Sequence, residues 1–324
     1  MFKQIKTLLR VTALVILLPS MLTAWDSRVR CPDVPARGEL NVLTINLLYS
    51  ESKDRSARFE ILSSFLQDKA EQGDPVDLIL LQEVAGGFLS GTQNTSHDLK
   101  RMLAEKGLDY NLRYCPVNDQ IGLLSEGIAI LSRCRILVTF VKPLSPVWET
   151  PEEGFDVPLK RKAMMIRIRV PQVGNINVFN THLCAYCDGN ELRTQSDDLL
   201  AFASAVRRLL FWDRSPAILG GDFNMNLENA DGETIYNNIL SFGFEDTFAV
   251  IHACGSCCTG SNDDEGCTYG VNGNPYTEDA PVRIDYIFSK KLDVLNSTVV
   301  FNDTPQWVSD HSGVLTKFAV QKKR

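Results

Sequence analysis

The chain has no internal repeat and no long low-complexity tract, which sets aside solenoids, propellers and disordered tails. It has no linker rich enough to divide its 324 residues, so one large domain with a substantial core is expected. It shows no basic stripe. With 33 Lys and Arg against 40 Asp and Glu, the net charge of −7 argues against a generic nucleic-acid binder, while leaving room for a local basic groove. The marked apolar run near the start, Val11 to Leu18, is shorter than the about 20 residues a comfortable membrane span needs. Histidine is scarce, at four residues, and only His182 and His252 sit near cysteines at ligand spacing, so zinc is the weaker reading of the cysteines.

What is present begins at the N-terminus. Lys3, Lys6 and Arg10 lead into the apolar run, Pro19 and Ser20 follow it, and Thr23 and Ala24 are small residues at a cleavage zone. This pattern predicts an export signal over 1–24 and a single domain over 31–324, in a secreted or periplasmic protein. Leu22 suits the −3 position of a cut after Ala24 poorly, so an uncleaved membrane anchor is the alternative. No small-residue motif leads into Cys31, which speaks against a lipid-modified cysteine. The nine cysteines (31, 115, 134, 184, 187, 254, 257, 258 and 267) fit an oxidising compartment, where disulfides are the default and an odd count leaves a thiol over. Their pairing is open, and Cys184-x-x-Cys187 and the cluster at 254–267 keep zinc as the alternative.

Apolar periodicity predicts strands at 39–48, 77–84, 127–133, 135–141, 163–170, 175–183, 217–219, 283–288, 293–301 and 313–320. Helices are expected at 56–70, where Ile61, Leu62, Phe65 and Leu66 share a face, and at 97–106, 199–212 and about 234–240. Strands and helices alternate, which suggests sheets covered by helices. The segments 143–160 and 252–282 read as long loops of a functional or covering kind.

Polar groups recur where apolar runs end. Asn46 closes the first strand and Glu83 the second, and His182, Asp222 and Asn224 follow later ones. Asp285 lies inside a run, and Asp310 and His311 precede the last one. Singly, each has an ordinary explanation: "GGDFNMN" is a turn after a strand, His182 a satisfied core histidine, "SDHSG" an Asx turn. Together they are costly to bury without pairing or a metal. Strand ends that converge would place carboxylates and amides around a hard cation such as Mg²⁺.

In chain order, Asn46 in "TINLL", Glu83 in "LQEV", "EGIAILSR", His182 in "NTHL", "GDFN", "RIDYIF" and "SDH" resemble the endonuclease/exonuclease/phosphatase superfamily over nearly all the chain after the signal. The resemblance implies an α/β fold, a four-layer α/β/β/α sandwich with two mixed β-sheets, and a metal-dependent phosphodiester hydrolase. "GDFNMNLENADGETIYNNILSFGFEDTF" and "RIDYIFSK" are most similar to the neutral sphingomyelinases, which implies cleavage of sphingomyelin to ceramide and phosphocholine. "DVPLKRKAMMIRI" resembles a short Asp/Lys loop of those enzymes, with Asp156 and Lys162 one residue further apart. His182 argues against the apurinic endonuclease branch, and the Trp before GD and the "WTDR" motif of inositol polyphosphate 5-phosphatases are missing.

The resemblance implies Glu83 and Asn46 as ligands of Mg²⁺, with Mn²⁺ or Ca²⁺ as substitutes and Asp310 at a second metal position. It implies His311 as general base, Asp285 as its orienting partner, Asp222 and Asn224 as contacts to nucleophile and phosphate, and His182 as a donor to the transition state. Asp222 and Asn224, two apart in an extended stretch, are expected to point the same way. Glu126 is a candidate second acid. The expected partner of a monomeric enzyme is a phospholipid or sphingolipid at a membrane surface, on which Trp148 and Phe155 either rest or, instead, cover the core. Nucleic acid is the less favoured partner. The alternatives are a secreted DNase-like endonuclease, a phosphoinositide phosphatase, and a catalytically dead binding module.

Overall fold

The structure is a computed structural model that describes residues 30–50, 54–88, 92–120, 124–149, 158–210, 213–254, 257–258, 266–303 and 305–321. The export signal expected at 1–24 lies outside them, as do Phe155 and Asp156. No described helix is long and apolar enough to cross a membrane.

Two six-stranded mixed sheets stack face to face, with helices on both outer sides. In chain order the elements are α1 (Val34–Arg37), β1 (Glu39–Asn46), α2 (Arg55–Glu71), β2 (Leu78–Gly86), α3 (Thr95–Glu105), β3 (Asn111–Gln120), β4 (Leu124–Ser132), β5 (Arg135–Glu149) and β6 (Pro158–Val170). Then follow β7 (Gly174–His182), α4 (Gly189–Leu209), β8 (Ala217–Asp222), α5 (Ala230–Ser241), β9 (Glu245–Asp246), α6 (Thr247–His252), β10 (Asp285–Lys290), β11 (Asp293–Val300) and β12 (Gly313–Ala319). The first sheet runs β11-β12-β1-β2-β4-β3, the second β5-β6-β7-β8-β10-β9. Among the described residues only β1–β2 and β7–β8 pair in parallel. Each of these pairs is bridged by a helix, α2 or α4, as a parallel crossover requires.

Alternation along the strands sorts the side chains into three apolar layers. Leu40 and Val42 of β1 meet Met164, Ile166, Val178 and Ile218 between the sheets. Leu43 and Ile45 face the other way, onto Phe59, Leu62 and Leu66 of α2 and Leu99 of α3. Leu199, Phe202 and Val206 of α4 cover the outer face of the second sheet with Phe179 and Leu219. Both faces of the central strands are therefore buried, which is why they read as continuous apolar runs.

Several expectations need correction. Residues 143–149 and 158–160 are strand rather than loop, because β5 and β6 form a long hairpin pairing as far as Glu149 with Pro158. Strand β3 escapes the periodicity because it is an edge strand that carries Pro116, Asn118 and Asp119, residues a central strand would reject. Helix α4 starts ten residues before 199, at a capping box formed by Asp188 and Glu191 that stabilises a polar first turn. The segment 252–282 has no regular element among its described residues past α6 and is tied by disulfides 254–257 and 258–267. A third bond joins Cys31 to Cys134, and Cys115, Cys184 and Cys187 are thiols. No cysteine belongs to a metal-ligand group among the described residues.

Candidate active site

The topology brings the polar strand ends together. Strands β1, β2, β7 and β8 run one way, while β12 and β10 run antiparallel to β1 and β8. The C-terminal ends carrying Asn46, His182 and Asp222 thus meet the N-terminal ends at Asp285 and His311. In register, Asp222 pairs with His182 on one side and Asp285 on the other. Gly221 makes this approach feasible: its φ is +140°, and a Cβ there would lie 2.0 Å from the Thr181 carbonyl oxygen.

Glu83 is not at a strand end, as expected, but inside β2, which continues to Gly86. Leu81 pairs with Ala129 and Val84 with Gly127, so Gln82 and Glu83 together face one residue of β4. At this β-bulge Glu83 adopts a φ of +51°, a left-handed conformation that aims its side chain into the cleft. Asn46 Nδ2 donates to Glu83 Oε1 and to Asp222 Oδ2, both at 3.1 Å, tying the two sheets' carboxylates together. The Tyr49 N–H donates to Glu83 Oε2 at 3.0 Å.

The site opens into a cleft of about 580 Å³ lined by Glu83, His182, Asp222, Asn224, Asp310 and His311 together with Tyr49, Asn118, Glu126, Arg161, Tyr186, Tyr269 and Asp279. His311 Nδ1 lies 2.8 Å from Asp285 Oδ2, and its Nε2 faces Asp222 Oδ2 across 3.8 Å. His182 lies 3.5 Å from Asp222 on one ring nitrogen and 3.5 Å from Glu126 on the other. Ser309 donates to Asp310 at 2.9 Å. All eight candidate residues therefore converge, although Asn224 differs from expectation. It is not in an extended stretch: with φ at +50° it closes an Asx turn on Asp222 at 3.0 Å, and its amide donates to the Leu183 carbonyl at 3.0 Å.

Negative charge dominates. Burial alone would push His311 down, but Asp285, Asp222 and Asp310 raise its pKa well above the ordinary histidine value. Burial also pushes Asp285 and Glu83 up, against the pull of His311 and His182 respectively. Asp222, Asp285 and His311 offer ligand atoms within 4.8 Å of one another, and the buried Asp285 Oδ1 has no hydrogen-bond partner. Glu83 and Asp222, brought together from opposite sheets by Asn46, are carboxylates whose oxygens fit a hard divalent cation. As oriented, Asn46 offers its nitrogen to the carboxylates, while its oxygen accepts from the Leu48 N–H at 3.0 Å. Turned about its last torsion, the same amide would offer oxygen to a cation.

Arg161, and not Lys162, reaches the site. Strand alternation in β6 sends the buried Arg161 toward Glu126 (3.5 Å) and His182 (3.3 Å), while Lys162 Nζ donates to the Pro116 carbonyl. Asn118 donates to Glu126 at 2.7 Å, so Glu126 joins the site as part of a polar wall. Sequence reasoning missed Arg161, Asn118 and Tyr269. Only the alternation around Ala163 could have singled out Arg161.

The profile of the Endonuclease/Exonuclease/phosphatase family matches residues 43–311. No curated protein sequence matches. Among solved structures, an endonuclease/exonuclease/phosphatase family protein from Leptotrichia buccalis C-1013-b superposes with a TM-score of 0.62 at 24% identity, over 86% of this chain and 99% of its own. Truncated Caenorhabditis elegans TDP2 gives 0.56 at 17% identity, over 87% and 98%. The human Nocturnin catalytic domain with bound sulfate gives 0.59 at 16% identity, over 87% and 94%. These likenesses concern the fold.

Proposed function

The chain belongs to the endonuclease/exonuclease/phosphatase family, and from that premise we propose that it is an exported, divalent-cation-dependent phosphodiesterase that hydrolyses sphingomyelin to ceramide and phosphocholine. The observation that carries the hydrolytic chemistry is the His311–Asp285 pair, 2.8 Å apart, in the same cleft as Asp222 and Glu83. Asp285 fixes the Nδ1 proton of His311, which leaves Nε2 to take a proton from an attacking water. Asp222, 3.8 Å from Nε2, would orient that water. Glu83 and Asn46 would hold Mg²⁺, Mn²⁺ or Ca²⁺, with Asp310 at a second metal position. The cation supplies neutralisation of charge on the phosphoryl oxygen and the leaving group. His182 and Arg161 present N–H groups toward the same space.

The lining of the cleft favours a lipid headgroup over a polyanion. Among its described lining residues Arg161 is the one fixed cation, whereas Tyr49, Tyr186, Tyr269 and Asp279 suit a quaternary ammonium. Likeness of the segments around Asp222 and Asp285 to neutral sphingomyelinases supports the same substrate. Three disulfides and the signal-like residues 1–24 support export. Purified protein offered sphingomyelin vesicles and plasmid DNA, with Mg²⁺ and with EDTA, is expected to release phosphocholine only with Mg²⁺. Nicked DNA without phosphocholine would replace the lipid substrate by nucleic acid; no turnover of either would overturn the hydrolase reading.

A further inference from the structure

Behind Glu83 lies a polar contact between the two sheets that the chemistry above does not use. Asn180, fully buried in β7, reaches across to the first sheet. Its Nδ2 donates to the carbonyls of Leu81 and Ala129, both at 2.9 Å, and its Oδ1 accepts from Gln82 Nε2 at 2.7 Å. Leu81 and Ala129 are the last regular pair before the bulge, and Gln82 is the residue that precedes Glu83 within it. Every polar atom of the Asn180 side chain is thus spent on the backbone and side chain that shape the bulge.

We propose that Asn180 is a positioning residue for Glu83, holding the left-handed bulge that turns this carboxylate into the cleft. A non-glycine residue at φ +51° is strained and persists only where its surroundings over-determine it. Asn180 provides that constraint from the opposite sheet. Without it, two buried carbonyls lose their side-chain partners, and the bulge can relax toward regular pairing, which moves Glu83 to the other face of β2. Asn180 and His182 are two apart on β7 and share its inner face. The same strand therefore delivers His182 and sets where Glu83 of the other sheet stands relative to it.

The inference rests on Glu83 being a cation ligand, and the test separates the two. Mn²⁺ binding is read directly by electron paramagnetic resonance, alongside Tm, in the full chain. Asn180→Ala is expected to weaken Mn²⁺ binding about tenfold or more, the effect typical of residues that orient a metal ligand. Thr247→Val serves as the control. Its buried hydroxyl donates to the Ile287 carbonyl at 2.8 Å, a contact that involves no residue of the bulge. It should lower Tm comparably and leave Mn²⁺ affinity within twofold. Should Asn180→Ala not fold, Asn180→Ser keeps one donor and is expected to show an intermediate loss. Wild-type affinity in the folded Asn180 variant, or an equal loss in Thr247→Val, overturns the role of Asn180. Wild-type affinity in Glu83→Gln overturns instead the cation site on which it depends.

Discussion

The two ends of the sandwich both bury aspartates, and they treat them in opposite ways. At the end away from the cleft, Arg37 Nη2 donates to both oxygens of Asp77 at 2.8 Å, Arg133 adds a bond at 2.9 Å, and the Asn41 N–H another at 3.0 Å. Arg133 also bonds both oxygens of Asp33, so two carboxylates meet two guanidinium groups. The Cys31–Cys134 bond anchors the same corner. At the cleft end, Glu83, Glu126, Asp222, Asp285 and Asp310 face Arg161 and two histidines, and Asp285 keeps an unpartnered oxygen. One end is balanced for stability. The other holds surplus negative charge, which under the proposed reading a cation would offset.

The contrast can be broken most severely at the base. His311→Ala should lower phosphodiester turnover by about a thousandfold, within the range for loss of general-base catalysis, while circular dichroism shows an unchanged fold. Next comes Asp77→Asn, which should destabilise by about 3 kcal/mol in urea, the cost of leaving a buried pair broken, with Mn²⁺ affinity unaltered. An Asp77→Asn protein as stable as the wild type would remove the distinction between the two ends.

The remaining effects are smaller. Without Mg²⁺ the His311 ring should stay protonated at pH 8, because its folded pKa is raised and the proton is lost only as pH climbs through that raised value. Adding Mg²⁺ to the surrounding carboxylates should move its NMR titration midpoint down by at least about one unit. Glu83→Gln, which relieves an uncompensated carboxylate, should stabilise the cation-free protein by about 1 kcal/mol, opposite in sign to Asp77→Asn. Asp213 sharpens the comparison from a third place: burial works against its ionisation, yet Arg167, Asn177 and Ser215 hold its pKa at about 2. Its contribution is present above about pH 4 and lost as pH falls toward 2; allowing for solvent screening it is about 1 kcal/mol. An Arg167→Ala variant should lose this portion of the acid dependence in urea titrations from pH 5 to pH 2.

Much of the fold was readable because its central strands are buried on both faces and its helices carry apolar stripes. Strand β3 was not, since an edge strand with Pro116 leaves no alternation to find. Residues 143–149 were misread because hairpin pairing beyond the body of the sheet relies on a partner strand and not on local pattern. In the site, Asn46, His182, Asp222, Asp285, Asp310 and His311 stood out as polar groups bordering apolar runs. Arg161 did not, because its neighbour Lys162 has the same charge, and only the facing of β6 chooses between them.

By itself the sequence determined most of the order of strands and helices, the family, and which side chains are too polar for the places they occupy, because period, turn chemistry and apolar content are local properties. Only the tertiary structure decided that Glu83 sits on a bulge, that Asn224 closes a turn, and that Asn180 of one sheet braces the other. Those are set by contacts between residues far apart in the chain, such as Asn46 with Asp222, 176 residues apart. No local pattern encodes the geometry of such a contact until both sheets are packed.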